Sequence, residues 1–140
     1  MQVSVKEAYR NAVSLLELGN YELAEKQLAE ILINYPNDPN ALRLSGVSSI
    51  DQGKPEIALI PLQKALKIAP DFSQAHEDLG TAWFLLGDLN KSEVCLKAAL
   101  KLDPSKFSTW KSLGDLLSDQ GKEEEANKAY EKALSTNTKY

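Results

Sequence analysis

Residues 71–104 read DFSQAHEDLGTAWFLLGDLNKSEVCLKAALKLDP, and this stretch decides the fold. When the sequence is shifted by the 34-residue length of this stretch, Gly87 falls on Gly53 and Pro104 falls on Pro70. All 7 glycines of the chain occupy only two positions of this period. A recurrence of this kind is typical of proteins built from stacked helical or β repeats. The sequence therefore divides into repeats at 5–38, 39–72, 73–106 and 107–140.

Two sets of small residues indicate a pair of helices in every repeat. Glycine at the fifteenth position interrupts an apolar pattern of helical spacing, and we expect it to form a turn with positive φ. A small residue at the eighth position lets the two helices of a pair approach closely. The first set is Gly19, Gly53, Gly87 and Gly121, and the second is Ala12, Gly46, Gly80 and Gly114. These patterns predict an all-α chain of tandem helix-turn-helix units, forming a single domain over residues 1–140.

Composition excludes several classes of function. The chain carries 16 basic and 20 acidic residues, with a net charge of -4. This balance does not predict binding to nucleic acid or to an anionic membrane. The single cysteine and single histidine leave no disulfide framework, no metal site and no cofactor site to expect. No secretory leader is recognisable at the start, so we expect a cytoplasmic location.

The residues that recur most regularly resemble the signature of the tetratricopeptide repeat (TPR) family over residues 5–140. They are Trp110, Leu79, Leu113, Gly46, Gly80, Gly114, Ala24, Ala58, Ala126, Tyr130, Pro36, Pro70 and Pro104. The resemblance implies a right-handed superhelix of helical hairpins. It also implies that the first helix of each repeat lines a concave groove, which holds a peptide or a partner protein.

The resemblance places one stripe of each first helix on the groove. The candidate peptide-binding residues on these stripes are Tyr9, Arg10, Val13, Asn40, Arg43, Val47, Ile50, Glu77, Asp78, Thr81, Phe84, Lys111 and Asp115. The amino-terminal end of the groove is positive because of Arg10 and Arg43, with Lys6. The carboxyl-terminal end is negative because of four acidic residues, Glu77, Asp78, Asp115 and Asp119. Between them lies an apolar centre that consists of Val13, Leu44, Val47, Ile50 and Phe84. The alternative is that some of these apolar residues form core shared between repeats and that the charges only solvate the surface.

Two departures from the repeat carry structural predictions. Pro61 lies inside the second helix of the second repeat, where it removes a backbone hydrogen bond and predicts a kink or a widened turn. The fourth repeat is more polar than the others, with Ser118, Glu123 and Thr138 at positions that are elsewhere apolar or proline. Because a terminal repeat needs a solvated outer face, this pattern predicts a partial cap.

These features predict a non-enzymatic adaptor that binds a protein or peptide partner. No paired acids, phosphate-binding loop or nucleophile with a neighbouring base is present in the sequence. One alternative is self-assembly, in which the end of the last repeat stacks on another copy as a homo-oligomer. Another alternative is that the chain is the TPR segment of a larger enzyme, such as a bacterial transferase.

Overall fold

The computed structural model describes residues 4–137, and within this range it contains eight α-helices and no strand. The helices are α1 (Val5–Glu17), α2 (Tyr21–Asn34), α3 (Pro39–Asp51), α4 (Pro55–Ile68), α5 (Ser73–Leu85), α6 (Leu89–Leu102), α7 (Phe107–Asp119) and α8 (Glu123–Asn137). The all-α class and its tandem helix-turn-helix units are therefore confirmed. The predicted end of the fourth repeat, including Thr138, lies outside the described residues.

The helices recur with the spacing of the sequence repeat. The odd-numbered helices, called A helices below, begin at Val5, Pro39, Ser73 and Phe107. The even-numbered helices are called B helices. The glycine between the A and B helices of each pair has a positive φ, from 75° at Gly19 to 86° at Gly87, as predicted. A glycine adopts this conformation without steric cost, and the B helix begins two residues later.

Side-chain caps set the start of half of these helices. Ser4 caps α1 by accepting a hydrogen bond from the Glu7 amide at 3.2 Å. Asp38 accepts from the amides of Asn40 and Ala41 before α3, where Pro39 occupies the first turn. Asn20 and Asp88 cap α2 and α6 in the same way. Such caps satisfy amides that have no partner inside the helix.

The chain forms two compact units, divided after Pro70. Unit 1 contains α1–α4; its core is built around α1, α2 and α3 and includes the buried Ala12, Leu28 and Leu44. Unit 2 contains α5–α8, with a core that includes Leu96, Leu116 and Ala126. The single domain over 1–140 and the repeat boundaries within it stay predictions.

Small residues of the A helices permit close contact with the B helices. A methyl group placed on Gly46 would lie 2.6 Å from Cγ of Leu62, and one on Gly80 would lie 3.0 Å from Cγ of Leu96. Leu62 and Leu96 are almost fully buried. The small eighth position therefore makes room for a leucine of the partner helix, as the sequence indicated.

Side-chain hydrogen bonds join neighbouring repeats in each unit. In unit 1, Gln52, directly after α3, donates to Glu25 of α2 at 2.8 Å, and Ser48 of α3 also donates to Glu25. In unit 2, Gln120 after α7 donates to Glu93 of α6. The two pairs occupy the same positions two repeats apart in the sequence. Because hydrogen bonds depend on orientation, they constrain how the helices of successive repeats pack, whereas apolar contacts alone do so less strictly.

Pro61 does not interrupt α4, which is one continuous α-helix from Pro55 to Ile68. The sequence predicts either a kink or a widened turn at Pro61, and the widened turn is absent. Proline leaves the carbonyl of Ile57 without its helical donor. Ile57 is 54% exposed, so this turn of α4 lies at the protein surface.

Candidate functional site

Unit 2 contains an apolar cavity of about 250 Å³ between its two A helices and the B helix α6. Its lining residues are Gly80, Thr81, Phe84 and Leu85 of α5, Ser92 and Leu96 of α6, and Ser112 and Asp115 of α7. The floor is fully enclosed, because Ser92 is 0% and Leu96 is 2% exposed. The rim reaches solvent at Leu85 and Asp115. We call this feature the unit 2 cavity.

Two hydroxyl groups in the lining are already occupied by backbone carbonyls. Thr81 Oγ1 donates to the carbonyl of Glu77 at 3.1 Å. Ser92 Oγ donates to the carbonyl of Gly80 at 2.7 Å. Because their protons are used within the protein, these hydroxyls offer little to a ligand, and the interior behaves as an apolar surface.

A single carboxylate forms the charged edge of the cavity. Asp115 Oδ1 accepts a hydrogen bond from the Tyr130 hydroxyl at 2.6 Å. This hydrogen bond, helped by partial desolvation and by the charges of Asp115, Glu123 and Asp119, raises the pKa of Tyr130 to about 12. The direction of that shift reports a negative electrostatic environment beside the rim.

Unit 2 differs from unit 1 at two repeat positions that line the cavity, where one side chain is shorter and the other is charged instead of apolar. Ser112 and Asp115 correspond to Leu44 and Val47, two repeats earlier in the sequence. In unit 1, Leu44 is 3% exposed and belongs to the core, and Val47 packs against that core. The leucine fills space in unit 1, whereas the corresponding serine in unit 2 leaves a cavity.

Three of the six candidate residues on α5 and α7 lie together at the cavity, namely Thr81, Phe84 and Asp115. Phe84 also packs against the core of unit 2. Asp78 and Lys111 do not line the cavity; Asp78 is half-buried and Lys111 is exposed.

Glu77 of α5 does not line the cavity. Its side chain contacts the first turn of α7 instead. Its side chain is 15% exposed and pairs with Lys106 Nζ at 3.6 Å. It also accepts hydrogen bonds from the hydroxyls of Ser108 and Thr109. Because Lys106 gives α7 no side-chain cap, the carboxylate stabilises the positive end of that helix. Within unit 2, Glu77 therefore fastens α7 to α5.

The candidate residues of unit 1 are more closely integrated with its core. Tyr9, Val13 and Val47 are partly buried and pack against core residues. Leu44 is core, so the alternative of a shared core between repeats is correct for this residue. The remaining candidates range from half-buried to exposed: Arg43 and Ile50 are half-buried, and Arg10 and Asn40 are exposed.

Sequence reasoning did not select the cavity residues contributed by the B helix. Ser92 and Leu96 are not among the candidate residues, although both line the cavity. One signal was available: Ser92 stands where the other three repeats have Ala24, Ala58 and Ala126. Ser112 offered a second signal, because it lies on the predicted stripe and is small where unit 1 has leucine.

The other reactive side chains do not form a site. Cys95 is half-buried, and burial raises the pKa of its thiol, which lowers its reactivity near neutral pH. Among residues 4–137, no group of three or more histidine, cysteine, aspartate or glutamate side chains could hold a metal ion. None of the helices in this range is long and apolar enough to cross a membrane.

Models of the tetratricopeptide repeat match residues 9–71, 73–106 and 108–140. The chain belongs to the tetratricopeptide repeat family. These matches account for nearly the whole sequence and agree with the helix pairs described above.

Curated relatives share this repeat over part of their length. The chain is 33% identical over 87 residues to the Peroxisomal targeting signal receptor of Komagataella phaffii, covering 59% of this TPR chain and 15% of that protein. It is 34% identical over 92 residues to the Cellulose synthase operon protein C of Escherichia coli K12, covering 64% and 8%. It is 27% identical over 151 aligned residues to Small glutamine-rich tetratricopeptide repeat-containing protein 2 of Saccharomyces cerevisiae, covering 89% and 43%. The TPR chain thus spans less than half the length of each of these relatives.

Solved structures support the fold. A structure of MamA matches with a TM-score of 0.83 and 19% identity, covering 97% of this TPR chain and 80% of the matched chain. MamA from Desulfovibrio magneticus RS-1 matches with a TM-score of 0.83 and 22% identity, covering 96% and 76%. At this level of identity the likeness concerns the fold alone.

Proposed function

We propose that this TPR protein is a non-enzymatic adaptor that binds a peptide or a partner protein on the A-helix faces of its repeats. The observation that carries the proposal is the unit 2 cavity, because three candidate residues chosen from the sequence line it. Cavities lined by apolar side chains and a few polar groups are the usual form of a binding site. A cytoplasmic location is part of the same proposal.

Size favours a side chain of a partner over a free small molecule. Pockets for drug-sized ligands usually enclose roughly 300–1,000 Å³, whereas the unit 2 cavity measures about 250 Å³. A side chain that enters it is held at its backbone by the rest of the partner, so a small cavity is sufficient. Helices that are ordered before binding also reduce the entropy cost of association.

The relatives support the adaptor role in general terms. One of them is named as a receptor for a targeting signal, and another is named for its tetratricopeptide repeats. The comparisons give no identity for the partner of this chain. The proposal therefore specifies a face and a type of interaction rather than a particular protein.

The proposal is tested by selecting peptides from a random library and titrating them by fluorescence anisotropy. We expect Phe84→Ala to lower the affinity for the selected peptides about ten-fold or more, since truncating a buried aromatic contact commonly has an effect of this size. Arg43→Glu, in unit 1, is titrated separately with the same peptides. Val94→Ala, at a residue of α6 that is 70% exposed, is the control on the outer face.

Circular dichroism verifies that each variant keeps its helices, because Phe84 also packs against the core. Unchanged affinity in both Phe84→Ala and Arg43→Glu would contradict the proposal. If Val94→Ala lowers the peptide affinity as much as Phe84→Ala does, the peptides bind a different face.

The structure gives little support to self-assembly through α8. Among its described residues, Glu124, Lys128, Glu131 and Lys132 are exposed, although Leu134 is also 60% exposed. A charged outer face agrees with the predicted partial cap. Sedimentation velocity over micromolar concentrations tests this point, and a dimer that is lost in Leu134→Lys would favour the assembly alternative.

A further inference from the structure

We propose that the unit 2 cavity binds a leucine-sized apolar side chain of a partner segment whose neighbouring residue is a lysine or arginine. The inference rests on the proposed adaptor function and specifies the chemistry of the partner. It concerns unit 2 by itself. Three observations carry it: the shape of the cavity, its counterpart in unit 1, and the charge at its rim.

Unit 1 shows which side chain suits this position. Leu44 occupies the repeat position of Ser112 and is 3% exposed, packed among the core residues of α1 and α2. In unit 2 the side chain of Ser112 is too short to fill the corresponding space, and a cavity remains between α5, α6 and α7. A leucine supplied by a partner would restore the packing that unit 1 achieves with its own residue.

The interior of the cavity accepts an apolar group rather than a polar one. The hydroxyls of Thr81 and Ser92 donate to carbonyls of their own unit. Phe84 and Leu96 provide carbon surface. A polar side chain would lose its water and find few hydrogen-bond partners, which is unfavourable.

The acidic rim of the unit 2 cavity favours a positively charged side chain of the partner. Asp115 stands where unit 1 has Val47, so the position changes from apolar to acidic between the two units. Asp115 is exposed and accepts one hydrogen bond, from the neutral Tyr130 hydroxyl. That hydrogen bond leaves the charge of the carboxylate in place. Glu123 and Asp119 act on the same tyrosine, so a cation beside the rim would meet acidic groups of α7 and α8.

The test uses three short glycine-serine peptides, capped at both ends, with a central Leu-Lys, Leu-Glu or Ala-Lys pair. Each peptide is titrated into the ¹⁵N-labelled protein, and amide shifts are followed at Thr81, Ser112 and Asp115. We expect the Leu-Lys peptide to bind about ten-fold more tightly than Ala-Lys, because a leucine buries far more apolar area than an alanine. We expect it to bind about two- to five-fold more tightly than Leu-Glu, the range for an exposed ion pair.

Two variants distinguish the apolar and the charged parts. Ser112→Leu fills the cavity with the side chain that unit 1 uses, so it should abolish binding of all three peptides while the protein stays folded. Asp115→Asn keeps an acceptor for Tyr130 and should remove the preference for lysine while the preference for leucine remains. Asp71→Asn, in the loop before α5, is the control for a change of one charge.

Equal affinity for all three peptides, or full binding to Ser112→Leu, would overturn the inference. If Leu-Glu binds better than Leu-Lys at the same amides, the inference is wrong but the adaptor function stands. If neither these peptides nor library-selected peptides shift residues of the A-helix face, both the inference and the proposed function are wrong.

Discussion

A methyl group added to Gly114 would lie 2.5 Å from Cε1 of the Tyr130 ring. Carbon atoms do not approach this closely, so the tyrosine ring occupies the space that a side chain at residue 114 would need. The ring cannot easily withdraw, because its hydroxyl is hydrogen-bonded to Asp115 at 2.6 Å. One glycine of α7 thereby sets the position of a tyrosine of α8 and, through it, of the carboxylate at the cavity rim.

Gly114→Ala should therefore destabilise unit 2. Overpacking typically costs about 1–3 kcal/mol, whereas replacing glycine by alanine inside a helix returns about 1 kcal/mol at most. We expect a net loss of up to about 2 kcal/mol in urea unfolding. The double variant Gly114→Ala/Tyr130→Leu provides the control, because a smaller and more flexible side chain relieves the clash. Additive losses in the double variant would contradict this account.

Tyr130 should ionise only in strongly alkaline solution. Its pKa of about 12 lies above the ordinary value of 10.0, chiefly because of the hydrogen bond to Asp115. Since the folded state holds this proton more tightly, its contribution to stability is complete below about pH 10 and is lost as pH rises towards 12. Phenolate absorbance in Tyr130→Phe should lack the component that appears near pH 12. Tyr21→Phe serves as the control, and a titration identical to wild type in Tyr130→Phe would refute the assignment.

Glu93 should stabilise the α6–α7 interface at neutral pH. The hydrogen bond from Lys97 at 2.6 Å lowers the pKa of Glu93 below 4.5. A hydrogen bond from Gln120 and the positive charges of Lys97 and Lys122 act in the same direction, whereas partial burial raises the pKa. Because the folded pKa is lowered, this stability is present above about pH 4.5 and disappears as pH falls through the folded pKa. Glu93→Gln should cost about 0.3–1 kcal/mol at pH 7. The loss should shrink under acid conditions.

The pH dependence of Glu93→Gln is compared with that of Glu131→Gln. Glu131 is exposed on α8 and has the same change of charge. Chemical unfolding at pH 7 and at pH 3 gives the two free energies for each variant. A loss in Glu93→Gln that stays constant with pH would show that packing, rather than charge, is responsible.

Reciprocal substitutions at the paired positions 44 and 112 should shift stability in opposite directions. Leu44→Ser removes a buried leucine from the core of unit 1 and should cost about 2–5 kcal/mol. Ser112→Leu fills the unit 2 cavity and should add about 0.5–2 kcal/mol. Thermal unfolding followed by circular dichroism measures both effects. A destabilised Ser112→Leu would mean that the cavity is too narrow for leucine, against the inference drawn from unit 1.

The helical framework could be predicted because its causes are local. The turn glycines are marked by their recurrence in the sequence, and their positive φ follows from the turn that they form. Asp38 next to Pro39 predicts the start of α3, since capping depends on residues within one helical turn. The continuous α-helix through Pro61 was harder to foresee. Proline removes one hydrogen bond locally, whereas the packing of the whole helix decides whether its course continues.

The candidate site was predicted only in part. Thr81, Phe84 and Asp115 line the cavity as their stripe suggested, but Glu77 of the same stripe binds the first turn of α7. Helical spacing places residues on one face of their own helix. It does not say which neighbour each side chain meets, because that depends on contacts with residues more than thirty positions away.

The amino-acid sequence by itself determined the class of the fold, the helix pairs and the turns between them, because each of these follows from short-range spacing of glycine, proline and apolar residues. Only the tertiary structure decided that Leu44 completes a core whereas Ser112 leaves a cavity, and that Asp115 stands at its rim beside Tyr130. The physical reason is that a cavity is a property of the volume enclosed by several helices. Two equivalent positions of a repeat can therefore be told apart only after their surroundings have been assembled.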